Sequence, residues 1–184
     1  MGKSLLLTGH PGIGKTSIIR KVVQALGDRA GGFYTEEITG PGGRHGIKLI
    51  TLYGEEATLA HKDLKAPRYP RVGRYGVDTA ALDKVGVKAI KRAIRRNRIV
   101  IVDEIALMEL YSRKFLEVLM DGFMGEAHIV GTIMSKSHPE ANAFRYLSQV
   151  EIWEIDHRNR DAMHKRVLTW VGKLQPCPSA TSGQ

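Results

Sequence analysis

The 184-residue chain holds a single cysteine, Cys177. One thiol closes no internal disulfide and supplies no metal pair, so folding must rest on burial, and a reducing compartment is the default. Long apolar runs are missing as well. The opening MGKSLLLTGH has only a short leucine run, below the roughly 7–15 apolar residues of a signal peptide. Nothing approaches the roughly 20 residues of a membrane span. A soluble, cytoplasmic protein without membrane association is expected. Asn and Gln together number seven; few thermolabile amides beside many charges lean towards a hot-living source. The seven histidines form no H-x-x-x-H pair and have no cysteine partner, so no zinc site is assigned.

Acidic residues are outnumbered, 19 against 28 Lys+Arg, which leaves a formal charge of +9. That favours a polyanionic ligand without choosing among nucleotide, nucleic acid and an acidic surface. Hydrophobic residues at 42% and charged residues at 26% are ordinary globular usage. One domain over 1–174 is expected, with a disordered Pro-, Ser- and Gly-containing tail over 175–184. A monomer is expected.

Short apolar runs alternate with amphipathic stretches. Strands are predicted at 4–8, 32–38, 46–52, 98–103, 127–134 and 150–155, with a small hairpin around Gly54. Helices are predicted at 16–26, 79–97, 112–120, 140–147 and 159–174, the first ended by Gly27. The run Ile99-Val100-Ile101-Val102 is apolar at every position, the mark of a central parallel strand covered on both faces. Strands alternating with helices imply a doubly wound, mainly parallel α/β sheet with helices on both faces.

Residues 9–16 read GHPGIGKT, the pattern G-x-x-x-x-G-K-[ST]. From the content of 20 Gly, 13 Lys and 18 Ser+Thr, chance gives about a 1.5% occurrence in a chain this long. The match also follows a buried strand and opens an amphipathic helix, as a phosphate loop requires. Gly9, Gly12 and Gly14 admit backbone angles closed to other residues, so that successive amides form an anion nest at a helix N-terminus. Lys15 is predicted to reach the β- and γ-phosphates and the Thr16 hydroxyl to ligate Mg²⁺. Ser17 is placed to meet the α-phosphate. His10, Pro11 and Ile13 complete the nucleotide-binding loop.

A second signal is IVIVDEIALMEL, 99–110. Asp103 falls at the C-terminal end of the apolar strand, where open α/β sheets bind ligands, and is the predicted Walker B ligand for Mg²⁺. Glu104 follows directly and is placed to accept a proton from the attacking water. The strand end Ile101, Val102, Asp103 and Glu104 joins the predicted nucleotide-binding set. The adjacent glutamate resembles the subdivision of phosphate-loop proteins with an added central strand, which includes RecA-like and AAA+ ATPases. By that resemblance, Thr132 falls where such enzymes place a γ-phosphate sensor.

The chain as a whole resembles the small nucleoside-triphosphatases first described from thermophiles, with a cancer-related animal relative. The resemblance rests on GHPGIGKTS, GFYTEEI at 32–38, RHGIKLITLYG at 44–54, RVGRYGVD at 71–78, DEIALMEL at 103–110, GTI at 131–133 and NRD at 159–161. It departs at Ala106 and Leu107, where the family usually has Gly and Lys. It implies a RecA-like fold and Mg²⁺-dependent hydrolysis of nucleoside triphosphates of several bases. Glu109 also matches, with a role supporting the acidic pair. Within these segments Glu36 or Glu37 is a candidate to position metal-bound water. Arg44, Arg71, Arg74 and Arg160 are candidate phosphate or base contacts. Arg160, opening the last helix behind a predicted Asn159 N-cap, is the candidate arginine in cis.

The sequence predicts slow hydrolysis of the γ-phosphate by Lys15, Glu104, Thr132 and Arg160. A kinase and a nucleic-acid-responsive switch stay open as alternatives. The densest basic stretch, KAIKRAIRRNR at 88–98, reads first as a solvated helix face. No RNP motif or aromatic–basic alternation supports nucleic acid, which is therefore not favoured as a partner.

Overall fold

In the computed structural model, which describes residues 1–174, one nine-stranded sheet organises the chain. The expected tail at 175–184 lies outside the described residues. The strands are β1 (Ser4–Thr8), β2 (Ala30–Gly40), β3 (Gly43–Thr51), β4 (Glu56–His61), β5 (Arg71–Val72), β6 (Tyr75–Val77), β7 (Ile99–Ile105), β8 (Ile129–Ile133) and β9 (Val150–Glu154). Their spatial order is β5-β6-β4-β3-β2-β7-β8-β1-β9. From β2 to β9 every pairing is parallel. From β2 outward to β5 every pairing is antiparallel.

The parallel part follows the pattern expected of strands covered on both faces. Successive leucines of β1 enter different cores. Leu6 packs with Phe33, Phe115, Phe123 and Phe144. Leu5 and Leu7 pack on the other face with Ile18, Ile19, Val22, Met163 and Val167. The first core is covered by α3 (Lys88–Arg95), α4 (Arg113–Met124) and α5 (Pro139–Arg145), and the second by α1 (Lys15–Leu26) and α6 (Arg160–Gly172). A layer of helices therefore lies on each face, as the doubly wound reading requires. Among the described residues no helix is long and apolar enough to cross a membrane.

The antiparallel wing is the main addition to the sequence reading. The segments expected at 32–38 and 46–52 extend into one long hairpin, with Glu37 opposite Ile47 and a register shift at Ile38/Thr39. The small hairpin around Gly54 is present as the β3–β4 turn, where the Gly54 amide donates to the Thr51 carbonyl at 3.2 Å. The two short strands β5 and β6 close the edge. The helix expected at 79–97 starts in α2 (Thr79–Ala81), capped by Asp78 accepting from the Ala81 amide. It continues as a π-helical stretch, Leu82–Val87, before α3. On α3, Ala89, Ile90 and Ala93 face inward, while Lys88 pairs with Glu55 at 3.0 Å and Arg92 stacks 3.9 Å from the Tyr53 ring centroid. Much of the basic stretch is thus engaged with its own surface.

Ser112 couples two of these helical segments. Its side chain caps α4 by accepting from the Phe115 amide at 3.0 Å, and its hydroxyl donates to Asp83 Oδ1 in the π-helical stretch. Ser112→Ala removes both bonds and should cost about 1–3 kcal/mol in urea denaturation. Ser112→Asp can cap but cannot donate to Asp83, so it should not recover the loss. Recovery of full stability by Ser112→Asp would show that capping alone matters.

Candidate active site

The loop between β1 and α1 forms the floor of a cleft of about 910 Å³. Gly12 and Gly14 hold φ of 80° and 108°, angles that an L side chain resists. Gly14 occupies the N-cap position of α1 with no side-chain cap, and the first turn contains no acidic residue. The helix N-terminus is therefore left for an external anion. Lys15 is 9% exposed, and its ammonium donates to the Gly9 carbonyl at 3.1 Å and the His10 carbonyl at 3.5 Å. Ile13 lies within the loop as predicted. Its side chain is buried in the α1–α6 core, so it contributes only backbone to the loop.

Strand β7 delivers the acidic pair through an irregularity. Val102 pairs with Gly131 and Ile105 with Ile133, so Asp103 and Glu104 together stand opposite the single residue Thr132. Such a bulge re-aims side chains that would otherwise alternate between faces. The peptide joining the two acids is cis. Asp103 is fully buried and accepts from Thr16 Oγ1 at 2.8 Å, from Thr132 Oγ1 at 2.5 Å and from the Thr35 backbone. Burial pushes its carboxyl above the ordinary range, while these donors and Lys15 pull it back. Thr16 and Asp103 are the pair that can hold a hard divalent cation. Ile101 and Val102 sit differently from the prediction. Both are fully buried, each in one of the two cores, and they position Asp103 without lining the cleft.

Glu104 lines the cleft, with Oε1 3.7 Å from Lys15 Nζ. Burial raises its pKa, as does the Asp103 charge, against the lowering effects of Lys15 and Arg44. Beneath it lies Glu109, only 3% exposed, whose Oε2 accepts from the Ala106 amide at 3.2 Å. Glu109 thus staples the 105–109 turn that carries the family departure at Ala106 and Leu107. Burial drives its carboxyl well above the ordinary range, and the Glu104 and Asp103 charges add to the shift.

The predicted residues do not all converge. Lys15, Thr16, Asp103, Glu104 and Thr132 do. Glu36 and Glu37 line the cleft, but each is paired, Glu36 with Arg20 at 2.8 Å and Glu37 with Arg44 at 3.2 Å. Arg74 braces the wing, donating to the Arg44 carbonyl at 2.8 Å, and Arg71 reaches the Gly73 carbonyl at 3.5 Å. Arg160 opens α6, stands 3.6 Å from Asp161 and is not among the residues lining the cleft. Asn159 makes no capping bond. Its Oδ1 accepts from the Asp156 amide and its Nδ2 donates to the Glu154 carbonyl, so it ties back to the preceding turn. Sequence reasoning missed Arg20, Thr35 and Lys136, which also line the cleft. Arg20 was accessible from helical spacing, one turn beyond Thr16. The other two depend on how the strand ends meet.

Comparison with known proteins agrees with this geometry. The profile of the family described as NTPase matches residues 4–168. The nucleoside-triphosphatase THEP1 of Thermotoga petrophila is 43% identical over 164 residues, covering 89% of this chain and 90% of that protein. The crystal structure of THEP1 from the hyperthermophile Aquifex aeolicus superposes with a TM-score of 0.84 at 31% identity, covering 92% of this chain and 99% of that one. The solution structure of a human cancer-related nucleoside triphosphatase superposes with a TM-score of 0.81 at 30% identity, covering 95% and 100% respectively.

Glu109 provides a pH test of the site. Its pKa is raised in the fold, so the native state holds a proton that the unfolded chain has released between the ordinary carboxylate pKa and the raised one. Stability from this group therefore falls as pH rises through that window. Glu109→Gln keeps an acceptor for the Ala106 amide and cannot ionise. In urea denaturation it should be more stable than wild type at pH 8, with the gain shrinking towards pH 4. A gain independent of pH would contradict the buried-acid assignment.

Proposed function

Since this chain belongs to the NTPase family and is a nucleoside-triphosphatase, we propose that it hydrolyses the γ-phosphate of nucleoside triphosphates in a Mg²⁺-dependent reaction at this cleft. The carrying observation is the convergence of Thr16 and Thr132 on Asp103, beside a Lys15–Glu104 pair at the mouth of the phosphate loop. Thr16 Oγ1 and Asp103 Oδ2 are hard oxygen donors. They suit magnesium, an ion that takes few protein ligands and keeps waters and phosphate oxygens. When bound, it offsets charge on the β- and γ-phosphates.

The protein's own groups account for the remaining steps. The loop amides and the α1 N-terminus take the phosphate charge. Lys15, held at rest by two loop carbonyls and Glu104, turns its ammonium to the terminal phosphates. That transfer releases the Glu104 carboxylate to orient a water molecule and take its proton. The water oxygen bonds to the γ-phosphorus as the bond to the β–γ bridging oxygen breaks, and the electron pair leaves on the diphosphate. Thr132 keeps the Asp103 carboxylate fixed throughout. Among the described residues lining the cleft none forms a base-reading constellation, which supports breadth across ATP, GTP, CTP and UTP. Turnover is slow, on the order of 10⁻² s⁻¹ or below, as for phosphate-loop hydrolases without an arginine supplied in trans. The +9 surface carries no part of this reading, and nucleic acid is not needed for it.

Single-turnover hydrolysis beside equilibrium nucleotide binding tests the assignment. Glu104→Gln should retain Mg²⁺–ATP affinity while hydrolysing roughly 10²-fold or more slowly. Asp103→Asn should weaken the dependence on magnesium itself. Lys15→Ala should weaken triphosphate far more than monophosphate binding. Phosphate release must proceed without an added acceptor, and a strict requirement for one would favour a kinase. Hydrolysis by Glu104→Gln at the wild-type rate would remove the glutamate from the chemistry.

A further inference from the structure

The reaction as derived gives a task to Lys15 alone among the cleft cations and leaves Arg20, Arg44 and Lys136 without one. Arg44 stands near the start of β3 and lines the cleft on the β2–β3 wall. Its Nη1 lies 3.2 Å from Oε1 of Glu37, a carboxylate that is itself 60% exposed. Its guanidinium carbon lies 5.2 Å from the Tyr75 ring centroid. Its Nε is shielded from solvent and has no hydrogen-bond acceptor among the described residues. Buried donors are nearly always paired, so an unpaired one beside a ligand cleft marks a place for an incoming acceptor. The Arg44 charge also acts on Glu104. Arg44 and Glu104, the residue that aims the attacking water, line the same cleft.

The other cations of the cleft are differently disposed. Lys15 already belongs to the loop. Arg20 lies 2.8 Å from Glu36 and, unlike Arg44, has no shielded unpaired donor among the described residues. Lys136 offers an ammonium without the paired fork of a guanidinium, and Arg160 stays outside the cleft lining. We propose that Arg44 contacts the transferring γ-phosphoryl group in cis and stabilises the charge it gathers in the transition state. The proposal rests on the hydrolase reading above and deepens it. An exposed ion pair such as Arg44–Glu37 is weak and readily exchanged. The planar guanidinium forms stronger paired bonds with phosphoryl oxygens, and its unpaired Nε supplies a further donor. Arg44 makes no covalent bond and moves no proton. Its side chain is also not what secures the hairpin. The Arg44 backbone carbonyl accepts from Arg74 Nη2 at 2.8 Å and from the Tyr75 hydroxyl at 3.3 Å, bonds that any residue at this position retains.

The test compares wild type, Arg44→Ala, Arg44→Lys and Glu104→Gln in single-turnover ATP hydrolysis, ADP binding, and binding of ADP with magnesium and aluminium fluoride, a mimic of the transferring group. Arg44→Ala should hydrolyse roughly 10³-fold or more slowly. It should bind ADP within about threefold of wild type, since only an exposed pair is lost. It should also lose the aluminium fluoride complex, and guanidinium ion added to the solution should restore part of its rate. Arg44→Lys should stay roughly tenfold or more below wild type, because an ammonium cannot reproduce the planar fork. A purely structural arginine predicts the reverse: near-wild-type hydrolysis by Arg44→Lys, with no rescue by guanidinium. That result overturns the proposal even if Arg44→Ala fails to fold. An Arg44→Ala enzyme as fast as wild type beside a slow Glu104→Gln enzyme also overturns it, leaving the hydrolase reading intact. If both variants are as fast as wild type, the proposal fails and Glu104 leaves the chemistry as well; the hydrolase reading itself fails if the wild type releases no phosphate without an acceptor.

Discussion

A carboxylate with no access to water must find its donors inside the protein, and Asp103 imposes that constraint on this fold. Each donor comes from a different element: Thr16 from the first turn of α1, Thr132 from β8, and the Thr35 amide from β2. Satisfying one buried charge thus fixes the phosphate loop, the intervening strand and the start of the wing relative to β7. The cost of leaving such a group unpaired is several kcal/mol. Any displacement of these elements is therefore felt at the carboxylate. The placement of β8 between β1 and β7 has a geometric purpose in this arrangement. It separates the loop strand from the acidic strand by two strand spacings, roughly 10 Å, and so leaves a gap for phosphates and a cation above the Thr132 position.

The cleft joins two architectures. Its floor and acidic end come from parallel strands whose C-terminal edges point the same way. Its outer wall comes from the antiparallel wing, which supplies Glu36, Glu37, Arg44 and Ile47. The floor is rigid by burial, since Leu5, Leu6, Leu7 and Val100 to Val102 are all shielded from solvent. The cleft-lining side chains of the wall are positioned by exposed ion pairs and by stacking on Tyr34 and Tyr75. Interactions of this second kind are individually weak and exchangeable. A rigid floor with a softer wall suits a ligand that must be seized firmly at its phosphates and released after each turnover.

What was legible in the sequence was what local spacing encodes. GHPGIGKT needs only eight neighbouring residues to make its nest, and the apolar run before Asp103 declares a doubly covered strand. The alternation of Leu5, Leu6 and Leu7 between two cores follows from the strand period. Residues whose placement depends on distant pairing were harder to read. Arg44 reaches the cleft only through the β2–β3 register and its shift at Ile38/Thr39. Composition carries no record of that shift. Arg160 shares a helix-opening position with many functional arginines, yet Asp156 and Asn159 organise the turn before it and Asp161 stands beside it. Ile13, Ile101 and Val102 lie within motif stretches, but motif membership does not say which way a side chain faces. Glu109 was legible as a neighbour of the acidic pair. Its burial came from the turn that returns the chain beneath Glu104.

The strand order also shapes how the molecule can be made. The wing pairs only strands close in sequence, β2–β3, β3–β4 and β5–β6 as hairpins and β4–β6 past the intervening β5. The strand that opens the chain has no such partner nearby: Lys3 meets His128, 125 residues further on, and Ser4 sits between Ile129 and Val150. At ribosomal rates of roughly 5–20 residues per second, the three leucines of β1 wait on the order of ten seconds for neighbours on either side. Throughout that interval the most apolar segment of the floor is a bare strand with two open edges. All strands of the wing are synthesised long before β1 gains either of its neighbours, so the walls have their pairing partners first and the binding floor last.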